Sequence, residues 1–246
     1  IAKNNNIIIN NTFSASTGAN SVVTIGSNNN TLENNTYVLG KSDGRIIQFG
    51  GTTAINNVFI RDTFSDGTSG TVSDTGFNFG ASTTGNRCIE CIFAQNLTSQ
   101  VQFNSNNANL TFLNSTFNSS RVAGSAAQSR HIVQWYLTVN VTDTSFNAIS
   151  GATVTFRNNT NGLQNTVSTN PTGLTNATNI TQYIRNSSTF NYQTPITVNA
   201  SRPGYDSNGT TVNLTTQMIT LILLPTGYPP NITNVTVNKT SANPLE

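Results

Sequence analysis

Five segments in the first half of this chain follow one pattern: an Asn-rich approach, a short apolar run and a closing aromatic. They are Asn5–Phe13, Asn28–Tyr37, Ile55–Phe64, Cys88–Phe93 and Asn109–Phe117. The closing aromatics Phe13, Tyr37, Phe64, Phe93 and Phe117 stand 24, 27, 29 and 24 residues apart. A second series runs out of phase with the first: Val22–Ile25, Ile46–Phe49, Phe77–Phe79 and Val101–Phe103, whose last members recur at 24, 30 and 24 residues. Two interleaved series of matching period rarely arise by chance, and a period of this size marks stacked supersecondary units. A single unit cannot bury its apolar face, whereas several stacked units can. The pattern predicts a right-handed parallel β-helix over residues 1–134. Each coil of roughly two dozen residues supplies two or three short strands with alternate side chains inward, and coils stack about 4.8 Å apart so that like residues form ladders. Gly, Asn and Ser between the strands supply the corners. The competing arrangement is an antiparallel sandwich of short strands, also Asn/Thr-rich with frequent turns. The doubled period favours the β-helix.

Composition narrows the functional classes. Of 246 residues, 40 are Asn, 40 Thr and 24 Ser, while only 8% are charged and the net charge is +2. Nucleic-acid binding needs a basic patch against the phosphates, and 11 scattered cations do not form one. Helical bundles need Ala, Glu, Lys and Leu in quantity, and charged disorder is at odds with 35% apolar residues and 13 Phe. No apolar run approaches the roughly 20 residues that span a bilayer. The length suits one or two domains. The chain opens at Ile1 with no leader or initiator Met, and the expectation is a mature or processed piece of a secreted protein, or an excerpt of a longer one.

The recurring N-x-x-I-x-N-x-T-F coil resembles the pectate-lyase-like repeats of NosD-type surface and periplasmic proteins. That resemblance implies the β-helix architecture and no particular activity, because the fold hosts lyases, hydrolases, adhesins and structural spikes. After Gln134 the texture changes. Tyr136–Phe156 reads as two alternating strands joined by a turn, followed by candidate strands at Ile180–Ile184, Ile196–Ala200, Thr210–Leu214 and Met218–Leu224. Val141–Val154, Gly204-Tyr205 and the closing Ile219–Leu224 together resemble the carboxypeptidase-regulatory-like, transthyretin-like sandwich, an immunoglobulin-type fold. Phe146 stands near that family's usual Gly and Ala148 at its usual Pro. The resemblance implies, over 135–225, a spacer or adhesive module without catalytic machinery. Residues 226–246 read as a Pro-rich linker and a lone alternating strand, Asn231–Asn238. A single strand needs a partner. It either starts a further domain or donates itself to a neighbouring subunit.

Asn-x-Ser/Thr sequons supply the strongest chemical signal. There are 18: Asn10, Asn29, Asn34, Asn96, Asn109, Asn114, Asn118, Asn140, Asn158, Asn176, Asn179, Asn186, Asn199, Asn208, Asn213, Asn231, Asn234 and Asn238. Composition alone would give about 10, so compositional drift competes with selection for glycan sites. The sequons nonetheless continue beyond Asn140, where no β-helix corner asks for Asn. Cys88 and Cys91 form a C-x-x-C without the strand–helix context of a redox motif or a second pair for zinc. They read as ladder residues or as a short-range disulfide, which would need a bend because positions three apart on a strand face opposite ways. Asp66 and Asp74 bracket a Gly-rich loop that is a weak Ca²⁺ candidate. His131, the single His, reads as a packing residue beside Trp135.

These readings converge on a non-enzymatic, N-glycosylated extracellular or cell-surface protein with no cofactor beyond its glycans. The expected partner is a second copy, met through the β-helix end and the 231–238 strand, to build a filament, sheath or surface layer. An adhesin or carbohydrate-binding stalk is the alternative. A β-helix polysaccharide lyase or hydrolase, dependent on Asp62, Asp66 or Asp74, is the third.

Overall fold

The structure is a computed structural model that describes residues 1–15, 21–40, 44–50, 54–67, 74–124, 126 and 128–227. The lone strand, most of the Pro-rich segment and sequons Asn231, Asn234 and Asn238 lie outside the described residues. The fold is all-β, and the strands from Ile7 to Ala123 pair only in parallel. Apolar alternation lasts two to five positions before an Asn-rich corner breaks it. Such strands cannot pair within one coil, so they pair between coils and build three sheets.

The first sheet runs through Ile7–Ile9, Thr31–Glu33, Val58–Ile60, Asn86–Ile89 and Asn109–Leu113. Thr12–Ala15, Thr36–Leu39, Thr63–Asp66 and Ile92–Phe93 form the second. Ser21–Ile25, Arg45–Phe49, Thr75–Phe79, Ser99–Phe103 and Val122–Ala123 form the third. Register turns sequence period into side-chain columns. Phe13, Tyr37, Phe64 and Phe93 fall in one row, with successive ring centroids 5.2, 4.9 and 4.7 Å apart. Ile25, Phe49, Phe79 and Phe103 fall in another. Each N-x-x-I-x-N-x-T-F segment is therefore two strands and a corner, with its central apolar residue in a third row of Ile8, Leu32, Phe59, Cys88 and Phe112. Phe117 keeps the period but lies past the last bridge of its sheet, and it stacks on Phe112 at 4.5 Å.

The corners explain the asparagines. Asn10, Asn34, Arg61, Glu90 and Asn114 turn the chain from first to second sheet with φ of 60, 53, 52, 56 and 48°. Asn5, Asn29, Asn56 and Gly85 turn it from third to first with φ of 60, 56, 56 and 72°. Asn and Gly tolerate this left-handed conformation best. Next to each corner, the following residue points inward. Asn6, Asn30, Asn57 and Asn86 form a ladder in which each Nδ2 donates to the next Oδ1, at 2.7, 2.8 and 3.1 Å. Backbone N–H groups of the first three donate to the same oxygens at 3.0, 3.0 and 3.1 Å.

A single strand, Arg130–Asp143, joins the two halves. Its first residues continue the parallel first sheet against Asn109–Leu113, and its opposite edge pairs antiparallel with Thr178–Asn186. Beyond Leu137 it pairs in parallel with Met218–Leu224. A four-stranded antiparallel sheet, ordered Leu163–Ser168, Thr153–Arg157, Ile196–Ser201 and Asn208–Val212, covers it. Between the sheets lies a second core that includes Val139, Val141, Phe156, Ile180, Val198 and Ile222. The two strands expected within Tyr136–Phe156 are thus not a hairpin but belong to different sheets. Asp143 holds the turn between them, accepting from the N–H groups of Ser145 and Asn147 at 2.8 and 2.9 Å. Phe146, where the resemblance expects Gly, has φ 63°. Leu163–Ser168 carries no apolar alternation, and in Thr189–Tyr192 only Phe190 and Tyr192 alternate, over four exposed positions, which is too short a run to mark a strand. Among the described residues no helix is long and apolar enough to cross a membrane.

Candidate functional site

The sequon asparagines separate from the structural ones. Asn10, Asn29, Asn34, Asn96, Asn176, Asn179, Asn186, Asn199, Asn208 and Asn213 are exposed. Asn109, Asn114, Asn118, Asn140 and Asn158 are half-buried. Among the described residues the buried asparagines are Asn30, Asn35, Asn57, Asn78 and Asn86, and none of these begins a sequon. Strand geometry accounts for part of this. Positions i and i+2 share a face, so Asn199 and Ser201 both point outward from a strand that buries Ile196, Val198 and Ala200. At the corners, Asn10, Asn34 and Asn114 form one outward row. A glycan joins Asn through Nδ2, and that atom is already engaged at Asn96 (to Asp66 O), Asn114 (Gln217 Oε1), Asn158 (Gln193 Oε1) and Asn208 (Leu223 O).

The other marked residues are mostly interior. Cys88 and Cys91 are buried free thiols. The left-handed corner at Glu90 supplies the bend between them, so both face inward, Cys88 in the Phe59–Phe112 row and Cys91 in the column of Asn35, Asp62 and Ser115. Burial pushes the Cys88 thiol up. Asp62 has no exposed surface and accepts from Asn35 N and Nδ2 at 2.6 and 3.2 Å. Burial raises its pKa to about 7, against the lowering effect of those hydrogen bonds. Asp66 and Asp74 are both buried; Asp74 accepts from Gly44 N at 3.2 Å, and residues 68–73 between them lie outside the described residues. His131 packs edge-on against Phe112, Phe117 and Tyr183 at 5.1, 5.3 and 5.8 Å, rather than beside Trp135. Burial, and next the charge on Arg185, lower its pKa to about 3. Arg61, on the outer corner row, bridges Glu33 and Glu90, the latter at 3.8 Å.

One surface feature was not legible in the sequence. Where the last coil meets the second core, a cleft of about 520 Å³ opens between residues 114–119, Trp135, Gln182-Tyr183 and Thr215–Gln217. Four distant segments build it, so no local motif points to it. Trp135 Nε1 donates to Gln182 Oε1 at 2.7 Å, and Asn114 Nδ2 to Gln217 Oε1 at 3.0 Å. The Tyr183 hydroxyl is buried without a hydrogen-bond partner.

No protein-family model matches the chain, and a search of curated proteins finds no match.

Proposed function

We infer that the protein is a non-enzymatic, N-glycosylated extracellular structural protein, a self-associating subunit of a surface filament, sheath or layer. In this reading the first half is a NosD-type parallel β-helix and the second a transthyretin-like sandwich of the immunoglobulin type. The observation that carries it is the division of the asparagines. No buried asparagine begins a sequon, although Asn30 and Asn35 are the middle residues of two, whereas every described asparagine that begins a sequon is exposed or half-buried. Composition alone has no reason to sort them so. A chain with only 8% charged residues also gains from another source of solubility, and glycans supply it. Catalysis has little support: Asp62 and His131 are enclosed in the core, out of a substrate's reach. Self-association rests on the alternating sequence Asn231–Asn238, which has the pattern of a donated strand.

Glycopeptide mass spectrometry and electron microscopy of native material test the two parts separately. The expected result is glycan on several sequons and a polymer whose contacts include residues 231–238. Bare sequons throughout would remove the glycoprotein reading; a monomer at millimolar concentration would remove the structural subunit.

A further inference from the structure

We propose that the cleft between the coil stack and the second core binds a neutral saccharide. Its lining is aromatic and uncharged: Trp135 and Tyr183 stand among the amides of Asn114, Gln182 and Gln217 and the hydroxyls of Thr215 and Thr216. Each part selects against other ligands. An anion such as a phosphate or sulfate would be desolvated with no cation beside it, which is strongly unfavourable. A purely apolar ligand would strip water from the amides and hydroxyls and return no hydrogen bonds. A pyranose ring satisfies both surfaces, because its C–H face lies on an aromatic ring while its hydroxyl rim pairs with amides. A volume of about 520 Å³ has room for two or three such rings.

The cleft is also organised in advance. The bond from Trp135 Nε1 fixes the Gln182 amide and leaves its Nε2 facing no partner among the described residues. The bond from Asn114 fixes Gln217 in the same sense. Tyr183 is 5% exposed, yet its hydroxyl has no partner. Its ring, packed against His131, Phe190 and Tyr192, is held as part of the cleft wall. The sugar has two potential sources. One is a glycan on Asn114 of the same chain, whose sequon residues Ser115 and Thr116 also line the cleft; this source rests on the glycosylation inferred above. The other is a free saccharide or a glycan carried by another molecule.

Trp135 is the chain's single tryptophan, so its fluorescence reports this cleft alone. Native protein and a Thr116→Val variant, which loses the Asn114 sequon without loss of side-chain volume, are titrated with chitobiose, mannobiose and cellobiose. Glucose 6-phosphate is the charged control. Saturable emission changes are expected with at least one neutral disaccharide and none with the phosphate. Response only in Thr116→Val, with a glycan found on native Asn114 by mass spectrometry, assigns the cleft to the chain's own sugar. Response in both assigns it to an external one. Gln217→Ala, at an exposed position, should weaken binding at least fivefold, and Trp135→Phe about tenfold by calorimetry. No response to any neutral sugar in either form, or binding unchanged in both variants, overturns the proposal. Bare sequons in the mass spectra would defeat the glycosylation reading without touching the external-sugar arm.

Discussion

At the scale of single residues, the inward columns behave as polar zippers whose every member must match its neighbours. Asn57 accepts from Asn30 N and Nδ2 and donates to Ser27 O at 3.1 Å. Asn57→Ala takes the partner from Asn30 N and Ser27 O and leaves Asn30 Nδ2 only its bond to Ser27 Oγ, and each buried group so deprived costs about 1–3 kcal/mol. Thermal or urea unfolding should therefore show a loss of roughly 3–5 kcal/mol; a loss below about 1 kcal/mol would mean water enters the ladder. Asp62 is the irregular member of the second column. Its column mates Asn35, Cys91 and Ser115 donate to Ile8 O, Phe59 O and Cys88 O respectively. The register equivalent for Asp62 is Leu32 O, which a carboxylate cannot serve and a protonated acid can. With a folded pKa of about 7 above the usual carboxylate value, the stability Asp62 contributes is complete below about pH 4 and declines as pH rises through 7. Asp62→Asn supplies the missing donor at all pH values, so it should flatten that decline and gain about 1–3 kcal/mol at pH 8. His131 works in the opposite direction. Its folded pKa of about 3 lies below the usual 6.5, so its contribution is present above 6.5 and is lost as pH falls towards 3. Between pH 6 and 4 the Asp62 contribution grows while the His131 contribution falls, so the parent's unfolding midpoint should change little there; His131→Phe keeps the edge-on ring packing and should make the midpoint rise as pH falls. Equal pH slopes in parent and variant would show that His131 does not drive the acid limb.

At the scale of elements, the long strand Arg130–Asp143 decides how the two halves depend on each other. It closes the coil stack through Val133 and roofs the second core through Leu137, Val139 and Val141. A change of texture at Gln134 reads in sequence as a domain boundary, yet the strand continues across it, and its antiparallel ladder with Thr178–Asn186 resumes after a register shift between Val133 and Gln134. Texture reports which side chains are needed on each face. It carries no information on whether the strand between two faces is broken. The same limit explains the other gaps. Rows such as Ile25–Phe49–Phe79 were legible because the period maps one-to-one onto stacked positions. The cleft was not, because Trp135, Gln182 and Gln217 meet only after the long strand has brought its partners together. Insertion of Gly-Ser-Gly between Gln134 and Trp135 tests the coupling. The unmodified protein should melt in one calorimetric transition, and the insertion should split it in two. One unchanged transition in the insertion variant would mean that the strand is not the coupling element.

At the scale of the whole molecule, the question is what keeps so weakly charged a surface in solution. Net charge is +2, which gives little mutual repulsion. The strand Met218–Leu224 pairs with the long strand on one side, and no strand covers its other side among the described residues. Its outward residues Ile219 and Leu221 are 70% and 45% exposed. An apolar strand with an open edge is a template for pairing with another chain. Sequons Asn140, Asn208 and Asn213 lie on or beside the strands that neighbour it, so glycans there would screen it. Enzymatic removal of glycans should then raise the scattered light of the purified protein within hours at millimolar concentration. Ile219→Lys with Leu221→Lys should suppress that rise, because charge on an edge strand opposes edge-to-edge pairing. If the double variant associates as fast as the parent after deglycosylation, the adhesive surface lies elsewhere than on Met218–Leu224.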